Sequence, residues 1–279
     1  MDWKVSAIIT TYKRSWESIN RAIESIVNQS VPVFEIILVD DNGNDTEYRE
    51  RLEPIAKIDK RVKYLPLQEN GGVSHARNEG VKYASGNIVG FLDDDDEWDL
   101  KKVELLLPLF DMHEDAGLCF GTGLIIYDDT NEREMNWQYK TFMAHPSFKD
   151  MLENDYVGSA SVPLIKKSIF METGGFLEEG QPAEEDYELW IRISKISGIY
   201  GAIDRVFIKH MDATEHISRH LKNNFLGFRN IYRVNKDDYK GNRKASIWIY
   251  WNISRFAVKS FDFRGIPYVF KWFFKKIGF

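Results

Sequence analysis

An α/β protein built on a doubly wound, mostly parallel sheet, with a C-terminal helical extension, is the fold class that this 279-residue sequence predicts. Three observations carry that expectation. The first third alternates short apolar strands with segments of helical period, the pattern of a parallel sheet covered on both faces. One strand, residues 88–92, runs directly into Asp93-Asp94-Asp95-Asp96. Residues 240–279 then change character, with nine Lys/Arg against one acid, Asp262, and 12 of the chain's 39 aromatic residues.

The elements follow in order. Residues 5–10 form a short strand rich in β-branched side chains. Ser15 caps a helix whose apolar residues, Ile19, Ala22, Ile23, Ile26 and Val27, recur at a 3.6-residue period. Pro32 separates that helix from strand 34–39, which ends at Asp40-Asp41-Asn42-Gly43. A third strand covers 62–67. Asn70-Gly71-Gly72 turns the chain into a helix with Val73, Ala76, Gly80, Val81 and Ala84 inward and Gly86 expected as its C-cap. Strand 88–92 follows.

Beyond Trp98 a single helix is expected over about 100–112, then an apolar run over 117–127. Residues 128–145 read as a polar surface excursion. A short helix is expected at 148–153, a strand at 159–165, a turn at Gly174-Gly175-Phe176, a helix at 187–196 and a last strand at 200–208. The composition break near Gly241 divides the chain into a body, 1–239, and a basic aromatic tail, 240–279.

Composition bounds the function. An apolar fraction of 43% supports a sizeable core. The single cysteine, Cys119, excludes an internal disulfide and fits a reducing compartment as a buried thiol. Met1 is followed at once by the first strand, which leaves no room for a signal peptide, and no stretch reaches the roughly 18 apolar residues of a membrane span. A cytoplasmic protein is expected. The net charge of −6 combines an acidic body with the basic tail. Such a body argues against a nucleic-acid partner, and such a tail suggests an anionic surface.

Acidic residues gather at strand or loop ends: Asp40/Asp41, Asp93–Asp96, Glu184–Asp186 and Asp204. In a wound sheet the ends of neighbouring strands share one edge, so the first two groups should meet Thr10, Thr11 and Tyr12 in one cleft. Each group has a plain structural explanation alone: Asp-Asn-Gly is a good turn, and acids favour a helix N-terminus. Together they suit Mg²⁺ or Mn²⁺ bound with substrate phosphates.

Six ordered blocks then carry a resemblance. They are Val5-Ser6-Ala7-Ile8-Ile9-Thr10-Thr11-Tyr12, Phe34-Glu35-Ile36-Ile37-Leu38-Val39-Asp40-Asp41-Asn42-Gly43, and Asn70-Gly71-Gly72-Val73-Ser74-His75-Ala76-Arg77-Asn78-Glu79-Gly80. After them come Phe91-Leu92-Asp93-Asp94-Asp95-Asp96, Gly174-Gly175-Phe176 and Glu185-Asp186-Tyr187-Glu188-Leu189-Trp190. Over residues 4–210 the sequence resembles the inverting family 2 glycosyltransferases, with the GT-A fold.

The resemblance implies that Thr10 and Tyr12 line a nucleoside pocket and that Asp41, supported by Asp40, accepts a hydrogen bond from the base. Arg77 would sit near the nucleotide or brace the acidic edge. Asp95 would ligate the metal, Mn²⁺ or Mg²⁺. Asp93 or Asp94 would meet ribose or metal-bound water, and Asp186 would be the catalytic base. The chemistry fits these types: the acceptor hydroxyl must lose a proton to a carboxylate, and the leaving diphosphate needs a cation. The expected partners are a nucleotide-sugar donor, a UDP-sugar, and a glycan or lipid-linked glycan acceptor in cell-surface polysaccharide synthesis.

Rival readings fit less well. A response-regulator receiver places its acidic pair after the first strand of a shorter domain. A nucleotidyltransferase opens on a Gly-rich loop that Thr10–Arg14 lacks. A non-catalytic nucleotide-sugar-binding protein would not need both Asp95 and Asp186. Among the histidines, His210 and His216 are candidates for the metal or diphosphate, though an ordinary surface loop explains them as well. Residues 246–279 interleave aromatic and basic residues and suggest peripheral contact with an anionic membrane. The competing reading packs them on the body.

Overall fold

The computed structural model describes residues 2–130, 132–135, 142–180, 182–211 and 221–277. Strand β1 (Val5–Thr11) pairs in parallel with β2 (Glu35–Asp40) on one side and β4 (Ile88–Asp93) on the other. β1 and β2 are buried along their whole length. That is why these strands read as continuous apolar runs: both faces of a central parallel sheet are covered. β3 (Val62–Pro66) adds the edge beside β2.

The crossovers are helices. Trp16–Val27 begins at Ser15, whose hydroxyl accepts the Ser18 N–H, and buries Ile19, Ala22, Ile23 and Ile26 as its period demands. Val73–Tyr83 begins after Gly72, at φ +82°, a conformation that glycine adopts at no steric cost. Gly80 lets this helix approach the sheet closely, since a Cβ there would lie 2.5 Å from Ile8 Cγ2.

The sheet then becomes mixed. β8 (Leu164–Lys166) runs antiparallel between β4 and β6 (Ala116–Tyr127). β9 (Gly198–Met211) lies parallel to β6 with three register shifts, irregularities that bend and twist a sheet. The two-residue β5 (Glu97–Trp98) pairs with β9 and β7 (Glu132–Met135) with β6, so the described residues form a nine-stranded sheet in the order β3-β2-β1-β4-β8-β6-β9-β5.

The predicted doubly wound class holds, and its departures have local causes. The helix expected over 100–112 is two helices, Lys102–Leu106 and Leu109–Met112, divided at Pro108, which has no N–H to donate. The helix after Gly72 ends at Ala84, not Gly86. The strand expected over 159–165 shrinks to β8, because Ser159–Val162 forms a hydrogen-bonded turn. Part of the polar excursion becomes β7; residues 131 and 136–141 lie outside the described set.

C-terminal helices, Leu221–Val234, Lys236–Lys240, Arg243–Lys259 and Ile266–Ile277, pack on one another and, through Arg243–Lys259, on helices Phe148–Glu153 and Glu185–Ile196. Arg243–Lys259 buries Ala245, Ile249, Ile253 and Ala257, and its Trp248 ring meets Tyr187 at 5.6 Å and Phe228 at 5.7 Å. The inner part of the basic segment therefore packs on the body.

Candidate active site

Strand register assembles the site. Thr10 pairs with Asp93, and Thr11 with Asp40, so β1, β2 and β4 deliver their last residues to one edge. Thr10, Thr11, Asp40 and Asp41 are buried there, while the Tyr12 ring remains exposed, with Lys13 Nζ 5.2 Å from its centroid.

Asp40 closes its own turn. Its Oδ1 accepts the Asn42 backbone N–H at 2.9 Å, and its other oxygen accepts the Tyr64 hydroxyl. Asp41 holds the glycine turn: Oδ1 accepts the Gly71 N–H at 2.9 Å, and Oδ2 accepts Gly72 N–H and Asn70 Nδ2 at 2.9 Å each. Burial pushes the Asp41 carboxyl up, against the pull of those two backbone donors. Three of its roughly four lone-pair sites are used. The predicted base-recognising carboxylate is thus already part of the loop that starts the next helix.

The four aspartates divide their work. Asp93 receives Arg77 Nη2 at 2.6 Å, and its backbone N–H donates to Ser161 Oγ at 3.0 Å. Burial opposes its ionisation, but the Arg77 guanidinium outweighs this and holds the carboxyl low. Arg14 reaches Asp94 Oδ1 through Nε and Asp95 Oδ2 through Nη2, both at 2.9 Å. Burial raises Asp94 to about 6 despite Arg14.

Asp96 is 1% exposed, and its Oδ1 has no hydrogen-bond partner among the described residues. Burial, together with Asp93 and Asp95, pushes it to about 8 even with Lys209 nearby. Among the described residues, no three His, Cys, Asp or Glu side chains are grouped so as to hold a metal ion. The unpartnered Asp96 oxygen beside Asp93, Asp94 and Asp95 nonetheless fits Mg²⁺ or Mn²⁺ of the kind that takes one or two carboxylates and completes its shell with water and substrate phosphate.

The second carboxylate group lies on the other side of Arg77 from Asp93. Asp186 occupies the first turn of helix Glu185–Ile196, behind Glu184, which is held at φ +60°. Its Oδ1 accepts the Tyr187 N–H at 2.7 Å. Burial first, then the charges of Glu185, Asp155 and Glu184, push its carboxyl well above the usual range. Glu184 itself is raised to about 8 and Asp155 to about 6, chiefly by burial. A carboxyl tuned upward in this way is suited to take a proton near neutral pH.

Arg77 joins the two halves. Its guanidinium is 4% exposed and spans from Asp93 to Glu185 Oε1, the latter at 2.8 Å. Beneath it lies the Phe176 ring, 5.1 Å away. Asn78, the next residue, accepts the Phe176 N–H and returns a bond to its carbonyl, both at 2.9 Å. Three separate sequence blocks therefore form one knot: Ala-Arg-Asn, Gly-Gly-Phe and Glu-Asp. The bracing arrangement foreseen for Arg77 is the one present.

His210 has both ring nitrogens engaged, by Glu97 Oε1 and Asp128 Oδ1 at 2.7 Å each. The bond to Glu97 raises its pKa most, against burial. It braces β5, β9 and the end of β6 rather than offering a free nitrogen. His216 lies outside the described residues, and Asp204 is exposed along β9.

Sequence reasoning missed the support beneath Asp93. Lys102 is fully buried, stacks 4.2 Å over the Trp98 ring and donates to the Ser161 carbonyl at 2.6 Å. Burial lowers its pKa well below the ordinary lysine value. Ser161 in turn receives Asp93. Lys101-Lys102 beside an apolar run reads as a solvated helix start, so the only signal was that Lys102 shares a face with Leu106. Arg14 and Lys209 were missed as well. Lys209 lies on β9 and is raised, against burial, by Asp96, Asp93, Asp95 and Asp186.

A wound sheet with an acidic strand-end cluster, joined through Arg77 to a separate carboxylate helix, has the architecture of the GT-A glycosyltransferase fold. The chain belongs to glycosyl transferase family 2, whose model matches residues 6–172. Two relatives extend the likeness. The UDP-Glc:alpha-D-GlcNAc-diphosphoundecaprenol beta-1,3-glucosyltransferase WfgD of Escherichia coli is 27% identical over 267 residues, covering 94% of this chain and 98% of that protein. The GalNAc(5)-diNAcBac-PP-undecaprenol beta-1,3-glucosyltransferase of Campylobacter jejuni is 31% identical over 251 residues, covering 85% and 78%. The structure of S. aureus TarS 1–349 with UDP-GlcNAc shares the fold, at TM-score 0.66 and 20% identity over 93% of this chain and 73% of that one.

Proposed function

We propose that this chain is a metal-dependent, inverting glycosyltransferase that moves a sugar from a UDP-sugar to a hydroxyl of a lipid-linked glycan, at the cytoplasmic face of a membrane. The observation that carries this reading is the pair of carboxylate groups held apart across one cleft by Arg77. An inverting displacement needs a carboxylate for the incoming hydroxyl's proton and a separate charge centre for the leaving diphosphate.

In this reading Thr10 and the exposed Tyr12 ring receive the nucleoside, and Asp41 and the glycine turn it holds flank the base. Asp93 and Asp94 orient ribose and diphosphate, and Asp95 faces the cation. Bound there, Mn²⁺ or Mg²⁺ would neutralise charge developing on the diphosphate. Asp186 takes the acceptor proton. The lipid-linked acceptor is supported by the undecaprenol diphosphate substrates in the names of both relatives, and the UDP donor by the E. coli name and the ligand of TarS.

Two results are expected. UDP with Mn²⁺ should raise the melting temperature more than GDP or dTDP at equal concentration, since a ligand at 100 times its Kd contributes about 2.7 kcal/mol of apparent stability. A larger shift with GDP would overturn the UDP assignment and leave the fold intact. Asp95→Ala should also lose cation-dependent UDP binding together with turnover. Full turnover of the parent chain in excess EDTA would refute the metal role.

A further inference from the structure

The Ile266–Ile277 helix has two apolar faces and uses only one of them. Tyr268 and Trp272 point to the protein: Tyr268 meets Tyr232 at 5.7 Å, and Trp272 meets Trp251 at 5.2 Å. The other face is a stripe of Ile266, Phe270, Phe273, Phe274 and Ile277, at the i, i+4, i+7, i+8, i+11 spacing of one helix side. All five are about half exposed, and no residue of the helix is buried. The loop before it adds Phe261, 87% exposed, and Phe263, 80% exposed. An uncovered apolar patch of this kind marks an interaction surface.

Charge identifies the occupant. Lys259, Lys275 and Lys276 stand around the helix and its leading loop with no carboxylate within 4 Å among the described residues, Lys276 4.8 Å from the Trp272 ring, while Lys271 lies over the protein-facing Tyr268 ring at 4.9 Å. Aromatic side chains interleaved with lysines on a short helix match the headgroup layer of an anionic bilayer. At 12 residues the helix is about 18 Å long, against about 30 Å of hydrocarbon, so it lies in the plane of the surface.

We propose that the outer face of Ile266–Ile277, with Phe261 and Phe263 at its leading loop, is an in-plane docking surface for anionic lipid. Arg243–Lys259 connects this face to the reaction centre. Its Trp248 packs on Tyr187, the neighbour of Asp186, and its Arg255 lies in the field of Glu184. The docking helix and Arg243–Lys259 thus stand between the lipid-facing layer and the acceptor-side carboxylates. That position suits the membrane-borne acceptor under Proposed function, on which the purpose of the docking rests, but the binding itself needs no acceptor.

The test is co-sedimentation of the full chain with vesicles of phosphatidylcholine containing phosphatidylglycerol, free of any glycolipid, at low and high salt. The parent chain should pellet with these vesicles, and less so in high salt. Phe270→Ser/Phe273→Ser/Phe274→Ser should bind at least tenfold more weakly while keeping its melting temperature and its UDP-induced shift. A parent chain that stays in the supernatant, or a variant that pellets equally, overturns the proposal. So does a stable dimer in light scattering that the same variant dissociates, because a second copy then covers the face. Loss of the UDP shift in the parent chain would instead count against the catalytic reading.

Discussion

Asp186→Asn should bind UDP as tightly as the parent chain and turn over roughly 10²–10⁴ times more slowly, the usual effect of losing a general base. The substitution keeps the side chain's shape and its bond to the Tyr187 N–H. It deletes only the capacity to hold a proton. Because Asp186 sits among Glu185, Asp155 and Glu184, a neutral amide also relieves repulsion, so the variant should melt no lower than the parent.

The same residue gives the pH profile its sign. A base works ionised, and burial has moved this carboxyl well above its usual range. kcat/KM should therefore climb with pH and level off only above the raised value, higher than an ordinary carboxylate would place the plateau. In Asp186→Asn that ascending limb should disappear. Calorimetry of UDP binding and release of UDP over a pH series measure both parts. Near-parent turnover in the variant would move the base to Glu184 or Glu185.

Arg77→Met should cost about 3–5 kcal/mol of stability, the penalty for removing one partner from a buried ion pair. Methionine fills much of the volume, but Asp93 and Glu185 then face each other with no cation between them. At about 2–4 °C per kcal/mol for chains of somewhat smaller size, the fall should be plain in a thermal melt. Arg77→Lys should fall between, since an ammonium keeps the charge but not the fork that spans two carboxylates. Had Arg77 served the nucleotide alone, the free protein would melt unchanged and only UDP affinity would drop.

The sheet was legible because its strands are buried on both sides. Val5–Thr11 and Glu35–Asp40 have no polar face to blur, and each ends in a residue type that marks the sheet edge. Helix Trp16–Val27 announced itself by cap and period. Helix Thr46–Leu52 did not: it buries only Leu52 and depends on Asp45 as its cap, so its sequence carries no apolar face to read. The long β6–β9 pairing was equally hidden, since its partners are some eighty residues apart and its bulges break any simple alternation.

The site divides in the same way. Its acidic residues stood out because like charges crowd at strand ends. The cations that make the crowding tolerable, Arg14 and Lys209, come from loop and strand positions that look unremarkable in sequence, as does Lys102, which supports the Ser161 carbonyl. Arg77 was visible only as part of a motif; that its guanidinium lies between Glu185 and Asp93 could not be read from the sequence.

The central claim is that this cleft cleaves a nucleotide-sugar with the help of a divalent cation and Asp186. The most direct measurement is release of nucleoside diphosphate by the full chain from a panel of UDP-, GDP- and dTDP-sugars, with Mn²⁺ or Mg²⁺ and again in excess EDTA. Release from at least one UDP-sugar, abolished by EDTA and strongly reduced in Asp186→Asn, is the predicted result. Release unaffected by EDTA and by Asp186→Asn, or from GDP- or dTDP-sugars alone, would contradict it.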